Sequence, residues 1–100
     1  MYRIQIPRPA RRDIREAAQW YNEQQPGLGR RFTHLVKRKL EFIGSDPYLY
    51  EIQYKDARVA RVPIFPFNIH FRIDGVKKSV VIFAIFHTSL NPDRLKSRKE

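Results

Sequence analysis

Between Phe65 and His87 the chain reads FPFNIHFRIDGVKKSVVIFAIFH. Phe67, Ile69, Phe71 and Ile73 alternate with Asn68, His70, Arg72 and Asp74, the period of two that a strand shows when one face is buried. Asp74-Gly75 is a turn signal. Beyond a short basic stretch, Val80 to Phe86 is rich in β-branched and aromatic residues and apolar on both faces. That run is too short for a typical globular helix or a membrane span, so it reads as a central strand covered, or nearly covered, on both sides. A β-hairpin is therefore the centre of the fold, and the rest of the chain must supply its cover.

Two helical patterns precede it. From about Ala10 to Gln24, the residues Ile14, Ala17, Ala18 and Tyr21 fall on one face, and Pro9 suits the first turn because its missing N–H would be unpaired there anyway. Trp20 and Tyr21 read as core or rim packing. Pro26-Gly27-Leu28-Gly29 interrupts the pattern, after which Leu28, Phe32, Leu35, Val36, Leu40 and Ile43 form a second apolar stripe. Gly44-Ser45-Asp46-Pro47 reads as a stop, with Gly44 as a left-handed cap. The two runs are expected to form an αα-hairpin laid on a sheet.

Tyr2, Ile4 and Ile6 mark a short first strand, whose place in the sheet propensity does not settle. Tyr48 to Tyr54 reads as an edge strand or an extended loop. In RVARVPI, Val59, Arg61 and Pro63 face one way and Arg58, Ala60, Val62 and Ile64 the other, with Pro63 implying a free edge or a bulge. The expected class is α+β, in the order β-α-α-β-β-β, with the last three strands an antiparallel meander. Residues 1–92 form one domain, and 93–100 are a polar, basic tail expected to be frayed or partner-dependent.

The chain's 100 residues carry 20 Lys and Arg against 10 Asp and Glu, a formal charge of +10. This favours an anionic partner, either nucleic acid or an acidic protein segment. The absence of cysteine removes disulfides, thiolate metal sites and cysteine nucleophiles. Nothing at the start reads as a signal peptide and no run would span a bilayer, so a cytoplasmic protein with no membrane association is expected.

The chain has no glycine-rich phosphate loop, HExxH or serine nucleophile elbow. His34, His70 and His87 lack metal-ligand spacing, and neither metal nor cofactor is expected. Asp13 and Glu16, beside Arg12 and Arg15, read as surface charge. The constellation to weigh is basic: Arg58, Arg61, Arg72 and His87 approach the meander. Converging, the arginines would stabilise phosphoryl charge and His87 would move a proton. The alternative is that the arginines are solvated or meet an acidic partner, and that His87 caps its strand or is buried beside Phe86.

The order Ala10-x-x-Asp13-Ile14-x-Glu16-Ala17, Trp20-Tyr21, Pro26-Gly27-Leu28-Gly29-x-x-Phe32, Leu40, Ile43, Pro47-Tyr48, Arg58, Phe65-Pro66-Phe67-x-Ile69-x-Phe71 and Ala84-x-x-His87 with Pro92 resembles the ParE branch of the RelE/ParE toxins of bacterial type II toxin–antitoxin modules. The resemblance spans roughly residues 4 to 92. It implies a small basic toxin with two helices on an antiparallel sheet, wrapped by an acidic or amphipathic antitoxin in a hetero-oligomer. It also implies DNA gyrase as target for the ParE branch, and ribosome-dependent mRNA cleavage for the RelE branch. Two positions depart from the pattern. Leu90 stands where the family carries an arginine, and Phe67 where it carries a tyrosine, so a cation and a hydroxyl are lost. The tail has no tyrosine, which weighs against an RNase mechanism.

On this reading Arg58, Arg61, Arg72, Tyr54 and Phe67 contact the antitoxin or the target. Were the protein an endonuclease, Arg58, Arg61 and His87 would be its catalytic residues. A third reading is a non-catalytic nucleic-acid-binding module, with Tyr48, Tyr50 and Tyr54 stacking on bases.

Overall fold

A computed structural model describes residues 1–89. Leu90 and the basic tail, singled out above, lie outside the described residues. The chain forms strand β1 (Arg3–Gln5), helix α1 (Arg8–Gln24), helix α2 (Leu28–Ser45), a short 3-10 turn (Pro47–Leu49), and strands β2 (Ile52–Tyr54), β3 (Ala57–Arg61), β4 (Phe67–Asp74) and β5 (Ser79–His87). The strands make one sheet in the order β1-β5-β4-β3-β2. The meander β3-β4-β5 is antiparallel as expected, and β2 extends it at the edge. β1 pairs in parallel with the start of β5, Arg3 opposite Ser79 and Gln5 opposite Val81.

Both helices cover one face of the sheet. Their apolar stripes meet Ile69, Phe71, Val80, Ile82 and Ile85 in the main core, whose centre includes Phe32, Val36 and Ile43. Tyr21, Phe32, Phe65 and Phe67 form an aromatic cluster with ring centroids 4.7–5.5 Å apart for four of its pairs. Of the two adjacent aromatics in α1, Tyr21 joins this cluster, while Trp20 stands 56% exposed with its edge on Tyr21.

The Pro-Gly-Leu-Gly stretch is a device for crossing helices closely. Gly27, at φ 91°, turns the chain, and Asn22 Oδ1 accepts from the N–H groups of both Gly27 and Gly29, satisfying the start of α2. A Cβ on Gly29 would lie 2.2 Å from the Ala18 carbonyl oxygen. Gly44 corrects the sequence reading. It is no left-handed cap but lies inside α2, where a Cβ would be 3.2 Å from the Tyr2 carbonyl oxygen. The Tyr2 N–H donates to the Gly44 carbonyl at 2.9 Å, so this glycine lets β1 dock on the helix.

Asp13 is likewise not merely surface charge. Its Oδ2 accepts from the Ile85 N–H at 3.0 Å, on the part of β5 beyond its pairing with β1. A carboxylate there satisfies an edge donor and ties α1 to the sheet. The irregularity inferred from Pro63 takes a different form. β3 ends at Arg61, and the register shifts lie elsewhere: one between β2 and β3, where Ile52 faces Arg58 and Tyr54 faces Ala57, and one between β4 and β5, where His70 faces Ala84 and Phe71 faces Ile82, leaving Phe83 without an opposite residue. After β3 the chain turns tightly: the Phe65 N–H donates to the Pro63 carbonyl around Ile64 at φ 74°. This γ-turn of the uncommon positive-φ kind returns Phe65 to the core.

Candidate functional site

The face of the sheet opposite the helices carries its own small apolar cluster, Ala57, Phe83 and Ala84 with Tyr54 and Phe86 against it. The bulge at Phe83 produces it, because an extra residue lets the strand keep its core phase while Phe83 and Ala84 both pack here. Phe83 is 3% exposed although no helix covers it. Its lid is Arg72, whose guanidinium lies 4.5 Å from the ring centroid and whose Nε donates to Asp56 Oδ1 at 3.0 Å. That contact is the one ion pair between described residues.

Beside this cluster sits His70, 7% exposed, whose Nδ1 is 2.9 Å from the Tyr54 hydroxyl. Burial first, with Asp56 adding to it and Arg72 opposing, raises the Tyr54 pKa from its ordinary value. The Tyr54 hydroxyl can donate or accept in this bond, and the tautomer of His70 sets which it does. Tyr54, His70, Arg61, Asn68, Val59 and His87 border a hollow of about 450 Å³. Arg61 stands exposed at its rim. Arg61 lies opposite Asn68 in the β3–β4 register, so both project to this face.

The basic residues proposed from the sequence are thus divided. Arg61 and Arg72 stand on the open face. Arg58 lies opposite the core residue Phe71 and projects to the helix side, where Nη1 donates to the Tyr50 carbonyl and the guanidinium lies 5.1 Å from the Tyr48 ring centroid. His87 is exposed at the end of β5, not buried. Its Nδ1 accepts from the Ser89 N–H at 3.1 Å and lies 2.8 Å from the Ser89 hydroxyl, the strand-capping arrangement that was one of its three readings. Phe67, opposite His87, is half-buried on the helix side. Of the three tyrosines considered for base stacking, Tyr48 meets Tyr2 and Arg58, Tyr50 packs edge-on against Phe71, and Tyr54 is held by His70.

His70 is the member of this site that sequence reasoning passed over as a site residue. The available signal was a histidine alternating with Asn68 and Arg72 on the polar side of an otherwise apolar strand. A larger groove, about 900 Å³, lies elsewhere, among Met1, Ile4, Ile6, Leu40 and Phe42, with Lys37 and Arg38 at its border. No group of three or more His, Cys, Asp or Glu among the described residues is arranged to hold a metal. No helix of the described residues is long and apolar enough to cross a membrane.

Comparison with known proteins agrees with this architecture. Solved structures with the same fold include the chromosomal ParDE toxin–antitoxin system from P. aeruginosa, at TM-score 0.76 and 16% identity, covering 87% of this chain and 96% of that one. The intact E. coli RelBE toxin–antitoxin complex matches at TM-score 0.62 and 13% identity, covering 87% and 96%. The isolated E. coli RelE toxin matches at TM-score 0.64 and 12% identity, covering 97% and 95%. No curated protein sequence matches the chain. Residues 4–92 match the family described as "ParE toxin of type II toxin-antitoxin system, parDE", nearly the whole chain, and the protein therefore belongs to the ParE toxin family.

Proposed function

We propose that the protein is a toxin that acts by binding DNA gyrase and that a cognate antitoxin neutralises it in a cytoplasmic hetero-oligomer. The observation that carries this reading is the family match over residues 4–92. The ParDE and RelBE neighbours are toxin–antitoxin assemblies, which supports an antitoxin partner here. An acidic antitoxin would be steered onto a surface of charge +10, and apolar contact would then govern how long it stays. Arg61, Arg72 and Tyr54 offer the contact on the open face, bordered by Arg58 and Phe67 from the helix side. The groove beside β1 offers apolar anchorage.

Binding is favoured over cleavage because Arg58 is engaged with Tyr50 and Tyr48 on the opposite side of the sheet from Arg61. A second reading, ribosome-dependent mRNA cleavage, draws on the hollow that Arg61, His70, Tyr54 and His87 border together. A paired assay of purified protein without antitoxin distinguishes the two: gyrase supercoiling with detection of cleavage complexes, and mRNA integrity on translating ribosomes. Poisoned gyrase with intact mRNA supports the binding reading. Ribosome-dependent cuts that vanish in Arg61→Ala and His87→Ala variants overturn it.

A further inference from the structure

Helix α1 begins with an arrangement that is unfavourable for an isolated protein. Arg8, Arg11, Arg12 and Arg15 occupy its first two turns, all exposed. Arg8 with Arg12, and Arg11 with Arg15, are like charges four residues apart, which repel on a helix surface. They also stand at the positive end of the helix dipole, where cations are disfavoured, and the first turn holds no acidic residue. Of the two carboxylates in and just beyond these turns, Asp13 is turned to the Ile85 N–H of β5, and Glu16 stands exposed four residues beyond Arg12. None of the four arginines is ion-paired to a described residue. Arg11 spends its Nε on the Ile6 carbonyl at 2.7 Å, leaving Arg8, Arg12 and Arg15 as the free members of the stripe.

We infer that this stripe is a docking surface for the phosphate backbone of nucleic acid. All four cations are arginine, whose fork pairs bidentately with phosphate and carboxylate alike. What favours phosphate over an acidic polypeptide is that the stripe lacks the apolar anchor on which protein contacts depend, since the large exposed apolar side chains, Met1, Trp20, Phe42, Leu49 and Ile64 among them, lie outside these two turns. The open face of the sheet remains free in this arrangement, so the inference stands apart from the identity of the toxin's target.

The test is fluorescence anisotropy of a labelled DNA duplex of about 20 base pairs with the full-length protein across a salt series, since each phosphate contact contributes roughly 0.9 to the slope of log affinity against log salt. The wild type is expected to bind, and R8Q/R12Q/R15Q to lower the slope by roughly 2.7 and the affinity by about tenfold or more, with an unchanged circular-dichroism spectrum. The variant K55Q/K77Q/K78Q removes the same charge from two turns of the sheet and should leave the slope nearly unchanged. Equal losses in the two variants would overturn the inference, because binding would then follow net charge alone. No binding by the wild type would overturn it as well. Polyglutamate of matched length is the third arm. If it binds the stripe as tightly as the duplex at the same salt, the partner is an acidic polypeptide and the nucleic-acid assignment fails.

Discussion

The two faces of the sheet are built on different physics. Against the helices, Phe32, Ile43, Ile69, Ile82 and Ile85 are almost completely removed from water and are held by shape. On the open face, burial is achieved by polar and cationic side chains laid over a few apolar ones: Arg72 over Phe83, and Tyr54 against His70. Close packing tolerates little change in volume, whereas a half-wet layer replaces one contact with another at small cost. The difference teaches where this protein has freedom to carry binding groups without losing its fold.

Substitutions on the two faces should therefore separate widely in unfolding free energy. The largest effect is expected for Phe32→Ala, which removes the ring shared by the aromatic cluster and should cost about 3–5 kcal/mol in denaturant unfolding. Gly29→Ala comes next, because its Cβ would meet backbone, not a side chain that can move aside. Forcing α1 and α2 apart should cost about 2–3 kcal/mol and lower the thermal midpoint. On the open face, Tyr54→Phe deletes the hydroxyl bonded to His70, and a loss of about 1 kcal/mol is expected by the same unfolding measurement. A loss as large as that of Phe32→Ala would erase the distinction between the faces.

Alkaline pH sharpens the contrast through tyrosines on both sides. Burial raises the pKa of Tyr21 and Tyr50 on the helix side, and is the main cause of the rise at Tyr54. A raised folded value means that the folded state holds the phenolic proton more tightly than the unfolded chain does. The contribution of these groups to stability is thus complete below the ordinary tyrosine value of 10.0 and is lost as pH rises above it. Phenolate absorbance titrated alongside circular dichroism should show these ionisations coinciding with unfolding. Ionisation at the ordinary value with the fold intact would contradict the burial.

Much of the fold was legible in the sequence because its signals are periodic and local. The alternation from Phe67 to Ile73 and the apolar stripes of α1 and α2 each declare a face. The separation of Arg58 from Arg61 was legible too, since residues three apart on a strand point to opposite faces. What the sequence left open or misdirected depends on distant partners. Three strand residues from Arg3 to Gln5 carry too little pattern to choose an edge. Gly44 stands beside Ser45, Asp46 and Pro47, which look like a stop, yet its role is set by Tyr2 across the fold. Asp13 looked like one charge among several because its acceptor role depends on a backbone N–H 72 residues away. His70 became a site residue only when the register brought Tyr54 and Arg61 around it.

The most direct test of the contrast between faces is a pair of values for one variant, Arg61→Glu: its unfolding free energy and its affinity for the cognate antitoxin. Arg61 is exposed at the rim of the open-face hollow. Stability within about 0.5 kcal/mol of wild type, with antitoxin affinity reduced about tenfold or more, is the predicted result. Unchanged affinity in a folded variant would contradict the assignment of the open face as the surface through which this toxin meets its antitoxin.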